Sequence, residues 1–276
     1  MAVSGSFIVE VHEGESGALL YDTGKIQENG AVTWAKTDVP YDTGYAPSIA
    51  ISGNSIIEVH QASTSPGPLW YHAGSISSVV AGQITWAPSA QYDTGLAPSV
   101  AINGQTVIEV HQAGSGVGPL WYRTAELELD GAVGWNGSSF QYDTGAAPSI
   151  AIAGSTVIEV HQAGTNEGPL WYHDAEIQAN GSVVWGGTPF QYDTGLAPSV
   201  SASGPTAVEV HQANSGVGAL WYHTVALQSD GFVQFGAVFQ YDSGEAPRIA
   251  VAGPTILEVH QAATGSGLLY YHTAAY

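Results

Sequence analysis

The sequence contains no cysteine, which excludes disulfides and thiolate metal centres and leaves the redox compartment open. Basic residues are nearly as scarce: Lys25, Lys36, Arg123 and Arg248 stand against 24 acidic side chains, for a formal net charge of −20. So few cations cannot form the footprint that a phosphate backbone requires, and nucleic acid is excluded as a partner class. No apolar run approaches the roughly 20 residues of a membrane-spanning helix, so membrane insertion is not expected. Residues 1–7 have neither a basic n-region nor a long apolar h-region. The expectation is a chain that stays in the cytoplasm, leaves by a route without a classical signal, or has lost a leader. Helical periodicity is also missing throughout. A hydrophobic content of 44% with 14 Tyr and 8 Trp is nevertheless ample for a packed core.

What the sequence does have is repetition. Glu-Val-His recurs at Glu10, Glu58, Glu109, Glu159, Glu209 and Glu258, 48 to 51 residues apart, and each copy divides into four strand-length pieces. In the third copy these are residues 98–102, a tight turn at Asn103-Gly104, residues 106–113, a glycine-rich loop at 114–118, residues 120–127, a turn at Asp130-Gly131 and residues 132–142. Four antiparallel strands per unit, joined by tight turns within the unit and a longer link between units, form the pattern of a propeller blade. The expected fold is all-β: one domain over residues 1–276, a six-bladed β-propeller of about 50-residue four-stranded blades. Tyr276 aligns with Leu227, at the end of a third strand. The last blade therefore lacks its outer strand, and the open edge could pair with a second copy as a homo-oligomer.

The chemistry recurs with the blades. All ten histidines occupy two slots. One is in Glu-Val-His, giving His60, His111, His161 and His211 together with His12 and His260, each followed by glutamine except in the first copy (Gln61, Gln112, Gln162, Gln212). The other follows Trp-Tyr, at His72, His173, His223 and His272, with Arg123 in the third copy and Asp22 in the first. Pairing the second and third strands across the glycine loop sets Glu109 opposite Arg123 and Glu209 opposite His223, which predicts an acid–base pair within each complete blade. Tryptophan also has two slots. Trp34, Trp86, Trp135 and Trp185 on the outer strand read as packing between blades. Trp70, Trp121, Trp171 and Trp221, each followed by tyrosine (Tyr71, Tyr122, Tyr172, Tyr222), stand at the mouth of the glycine loop, where an indole serves either as core or as a stacking platform for a sugar. The Tyr-Asp-Thr-Gly link (Tyr92-Asp93, Tyr142-Asp143, Tyr192-Asp193) has the composition of a turn in which the glycine takes positive φ. In blade topology the ends of these segments gather on one face.

The unit, with turns such as Ser229-Asp230-Gly231-Phe232-Val233, resembles the blades of sialidase-type propellers with their Asp-box turns. Sialidases hold their substrate carboxylate with three arginines, whereas only Arg123 and Arg248 occur here, so that activity is not implied. Architecture, copy number and the Trp-loop composition resemble bacterial and fungal propeller lectins, which bind sugars between neighbouring blades. The resulting expectation is a multivalent carbohydrate-binding lectin whose partners are glycans or glycoconjugates. Its ligand residues would be the His-Gln pairs, the loop-proximal Trp-Tyr pairs and the Tyr-Asp links. A protein-interaction scaffold is the alternative, and a glycoside hydrolase comes behind it. Departures from the repeat converge on no reaction, so the sequence predicts no enzyme and no catalytic residue. A metal site would need adjacent blades to bring their histidines together, and Glu-Val-His alone is a weak signal for one, so no metal and no cofactor are expected.

Overall fold

The computed structural model describes residues 1–77, 82–128, 131–228, 232–263 and 267–275. Asp130 and Ser229 to Gly231, where turns are expected, lie outside the described residues. Two compact units are present: residues 1–115 with 119–143, and residues 116–118 with 144–276. The first holds three blades and the second three.

The fifth blade is representative. Its second strand, Thr206–Gln212, is rich in β-branched residues and pairs antiparallel with the end of Phe190–Ser203 on one side and with Gly218–Leu227 on the other. The fourth strand is the start of Val233–Ala252. Gly204 turns the first hairpin at φ 59°, with no atom within 4 Å of where a Cβ would stand. That glycine is required for its backbone conformation rather than for space. The last blade has its third strand at Leu269–Ala275, paired with Thr255–Gln261, and no fourth strand among the described residues.

The link differs from expectation. It is not a turn: Phe190–Ser203 runs as one strand from the end of one blade into the start of the next. Positive φ falls on the alanine before proline (47–50° at Ala46, Ala97, Ala147, Ala197 and Ala246) and not on the link glycine. A left-handed alanine costs about 1–2 kcal/mol, and a side chain from the preceding blade holds it there. Ala197 donates its N–H to Gln162 Oε1 at 2.7 Å, Ala97 to Gln61 Oε1 at 2.8 Å and Ala246 to Gln212 Oε1 at 3.0 Å, while Ala46 uses Glu13 at 2.6 Å. The link glycine answers a different need. A Cβ on Gly195 would stand 2.7 Å from both the His211 ring and the Gln212 carbonyl, and Gly44, Gly95 and Gly244 are confined in the same way.

Within each unit, apolar side chains seal blade to blade. Ile57, Val59 and Leu69 of the second blade pack with Val100 and Val107 of the third, while Ile56 and Ile84 face Val9, Val11 and Tyr21 of the first. In the other unit Ile158 and Val160 meet Val200 and Val225, and Val208 and Val210 meet Ile249 and Val251. The outer-strand aromatics complete these seams as predicted. Trp86 stacks on Tyr41 at 5.0 Å, Trp135 on Tyr92 at 4.5 Å and Phe235 on Tyr192 at 4.3 Å.

Candidate functional site

Residues two apart on a strand share a face, and so do residues directly opposed across a ladder. Glu209 and His211 on one strand, with His223 and Trp221 opposite them, therefore lie on one face of the fifth blade. That face looks onto Tyr192-Asp193 of the link from the fourth blade. Glu209 is fully buried; it accepts a hydrogen bond from the Tyr192 hydroxyl at 2.9 Å and lies 3.1 Å from His211 Nδ1. His223 is held at both ring nitrogens, with Nδ1 2.9 Å from the Gly236 carbonyl and Nε2 2.8 Å from Asp193 Oδ2. His211 Nε2 is 3.7 Å from the same Asp193 oxygen. Asp193 is half-buried, so the cluster reaches solvent through it, and its other oxygen accepts the Thr194 N–H at 2.7 Å.

Other junctions repeat the arrangement. Asp42 Oδ2 lies 2.6 Å from His72 Nε2 and 3.9 Å from His60 Nε2, while His60 Nδ1 lies 3.1 Å from Glu58. Asp242 takes His272 at 2.5 Å and His260 at 3.7 Å, with His260 held 3.0 Å from Glu258. In the third blade Arg123 replaces the second histidine. It lies 3.8 Å from Asp93, donates to the carbonyls of Tyr92 and Gly137, and sits over the Trp135 ring at 5.6 Å. In the first blade Asp22 fills that slot, and His12 bridges Glu10 at 2.6 Å and Asp38 at 3.4 Å.

These surroundings move several titrations. Burial, and then the facing carboxylates Glu109 and Glu209, push the Tyr92 and Tyr192 hydroxyls far up, so both stay protonated. The His272 hydrogen bond holds the Asp242 carboxyl below its ordinary range. Burial works against the Asp42 carboxylate, but the His72 hydrogen bond, the Thr43 N–H and the two imidazoles together still bring it down. Burial lowers His111, yet the Glu109 charge and hydrogen bond outweigh it and raise the imidazole, and Glu258 does the same for His260.

The expected pairing of Glu with the base opposite it holds in register but not in hydrogen bonding. Glu58 stands across from His72 and Glu209 across from His223. Each glutamate nevertheless bonds the histidine two residues along its own strand, and the opposite histidine reaches the link aspartate of the preceding blade. The network therefore ties blade to blade rather than strand to strand.

Among the candidate residues the structure separates two groups. His60, His111 and His211 share a face with Trp70, Trp121 and Trp221 and meet Asp42, Asp93 and Asp193. His161 and Trp171 share a face in the fourth blade, where His161 bonds Glu159 at 3.0 Å and His173 Nε2 lies 3.1 Å from the Gly186 carbonyl. The four tryptophans are half-buried. Gln61, Gln112, Gln162 and Gln212 point to the opposite face, because neighbours on a strand alternate; Gln61, Gln162 and Gln212 serve there as the latches on the link alanines. Tyr71, Tyr122, Tyr172 and Tyr222 also lie on that opposite face, in aromatic contact with Tyr92, Tyr142, Phe235 and Tyr241. Of the link tyrosines, Tyr92 and Tyr192 stack on Trp135 and Phe235, and Tyr142 meets Tyr122. Asp143 is half-buried at the end of the first unit. The second-slot histidines His72, His223 and His272 join the clusters although the sequence assigned them to the pairs within each blade. The alternation of strand faces was the available signal.

A separate groove of about 690 Å³ opens at the short-turn end of the fourth and fifth blades. It is lined by Thr156, Asp174, Glu176, Trp185 and Pro205, away from the histidine clusters.

No family model matches the chain, and no curated protein matches it by sequence. Solved structures do match in fold. A candidate 6-phosphogluconolactonase from Bacteroides uniformis aligns at TM-score 0.62 and 13% identity, over 99% of this chain and 84% of its own. The six-bladed fucose-binding lectin of Aleuria aurantia aligns at TM-score 0.55 and 16% identity, over 83% and 73%. Trypanosoma rangeli sialidase aligns at TM-score 0.60 and 9% identity, over 99% of this chain and 52% of its own. The chain thus has the fold of a six-bladed β-propeller, and its likeness to lectin and sialidase propellers holds at the level of fold. The expectation that the chain is no enzyme is overturned, since proteins named as a lactonase and a sialidase share this architecture with the lectin. Blade uniformity does not by itself argue against an asymmetric reacting site.

Proposed function

We propose that the chain is a multivalent carbohydrate-binding lectin whose repeated sites are the blade junctions. The observation that carries this reading is the recurring half-buried tryptophan (Trp70, Trp121, Trp221) at the glycine loop, on the face that carries the Glu-Val-His histidine. An indole stacks on the apolar face of a pyranose, while the partly buried link carboxylate takes its hydroxyls. One such site holding a sugar at about 1 mM contributes roughly 4 kcal/mol. Several engaged on one glycan surface raise avidity by about 10² to 10⁴. The fucose recognition named for the Aleuria lectin makes fucosylated glycans the first probes. A glycan array followed by calorimetry tests the reading: several equivalent sites per chain are expected, whereas no bound glycan or a single site per chain would sink it.

The groove beside Asp174 and Glu176 favours a second reading, an activity on a sugar-derived substrate, because it brings two carboxyls and Trp185 together outside the repeated junctions. Turnover of a sugar lactone or glycoside that Asp174→Asn abolishes would support it, and absence of turnover removes it.

A further inference from the structure

We infer that the Asp-His-His clusters at the blade junctions bind a divalent transition-metal ion of the zinc class. The ligand atoms of Asp193, His211 and His223 all lie within 4.8 Å of one another, as do those of Asp242, His260 and His272. Ligands sharing a tetrahedral ion at 2.0–2.1 Å stand about 3.3 Å apart. The separations from Asp193 Oδ2 to the two Nε2 atoms, 2.8 and 3.7 Å, bracket that value.

The ring orientations point the same way. Nδ1 of His211 faces the Glu209 carboxylate, and Nδ1 of His223 faces the Gly236 carbonyl. Both acceptors fix the proton on Nδ1 and leave each Nε2 aimed at one carboxylate oxygen, which is how ligating histidines are held from behind. The two rings stack 5.9 Å apart at 26°, with the buried Glu209 behind one of them and the partly buried Asp193 in front of both. Where the third blade lacks the second histidine, it has a permanent cation, Arg123, beside Asp93.

Two nitrogens and one oxygen with no sulfur suit zinc, cobalt or nickel better than calcium or magnesium. The sequence expectation of no metal assumed that neighbouring blades would have to bring their histidines together. Instead both histidines belong to one blade and only the aspartate comes from its neighbour, so the ion staples the Asp193 and Asp242 links to the blades that follow them.

The test uses the full chain, stripped with EDTA, dialysed, and titrated with Zn²⁺ by calorimetry and with Co²⁺ by visible absorption. Two or more ions per chain are expected. His223→Arg, which copies the third blade, lowers the stoichiometry by one and removes one site's share of the Co²⁺ band while circular dichroism is unchanged. Arg123→His raises the stoichiometry by one and decides the matter even if His223→Arg fails to fold. Uptake of fewer than two ions, or an unchanged stoichiometry in a folded variant, overturns the inference. No sugar enters the experiment, so its failure leaves the lectin proposal standing.

Discussion

The junctions at Asp93 and Asp193 share a frame and differ mainly in one side chain. In both, a buried glutamate is bonded to the histidine two residues on, at 3.0 and 3.1 Å, and a link glycine lies against that histidine's ring. At Asp93 the remaining slot holds Arg123, which reaches past the aspartate to two backbone carbonyls. At Asp193 it holds His223, fixed between a carbonyl and the aspartate. The slot is thus filled by a permanent cation at Asp93 and by an imidazole at Asp193, and in the first blade by Asp22. What the fold requires is the glutamate, the histidine and the glycine; the fourth position is free to vary.

The largest effects should fall on the shared frame and be equal at the two junctions. His211→Ala and His111→Ala each leave a buried carboxylate without its imidazole, and each should cost about 3–5 kcal/mol in urea unfolding. A loss confined to one of them would break the equivalence. Gly195→Ala and Gly95→Ala drive a methyl into the ring and the neighbouring carbonyl, for about 1–3 kcal/mol each. Gln162→Ala removes the latch on the Ala197 N–H, for about 1 kcal/mol, less than either glycine change.

The pH dependence is smaller and should separate the two ends of the titration range. His111 and His260 are raised in the folded state. Their contribution is therefore complete below the unfolded value of about 6.5 and is lost as pH climbs through the folded value. Thermal midpoints should fall across that window, and His111→Gln should flatten part of the fall. Asp42 and Asp242 are lowered, so their contribution is present above about 3.9 and disappears as pH drops through the depressed value. Asp242→Asn should reduce the acid-side loss, and an unchanged profile would contradict the assignment.

Much of the fold was legible because each hydrophobic seam is written into the period of two and the repeat of about 50 residues. The register of Glu209 against His223 could be counted from the glycine loop. Hydrogen-bond partners could not, because Glu209 has His211 two residues away and the competing acceptor, Asp193, comes from another blade. The link was misread for a related reason. Tyr-Asp-Thr-Gly has turn composition, but its glycine meets a steric demand set by His211 on the next strand, and the strained conformation fell on Ala197, stabilised by the still more distant Gln162. The separation of His60 from Gln61 onto opposite faces followed from strand alternation alone and was available from the start.

The most direct test of the account compares calorimetric titrations of the wild type, Trp121→Ala and Trp221→Ala with the strongest glycan from the array. The account predicts several sites per chain in the wild type and one fewer in each variant, with the affinity of the remaining sites unchanged. A wild-type stoichiometry of one, or variants that keep the full count, would contradict it.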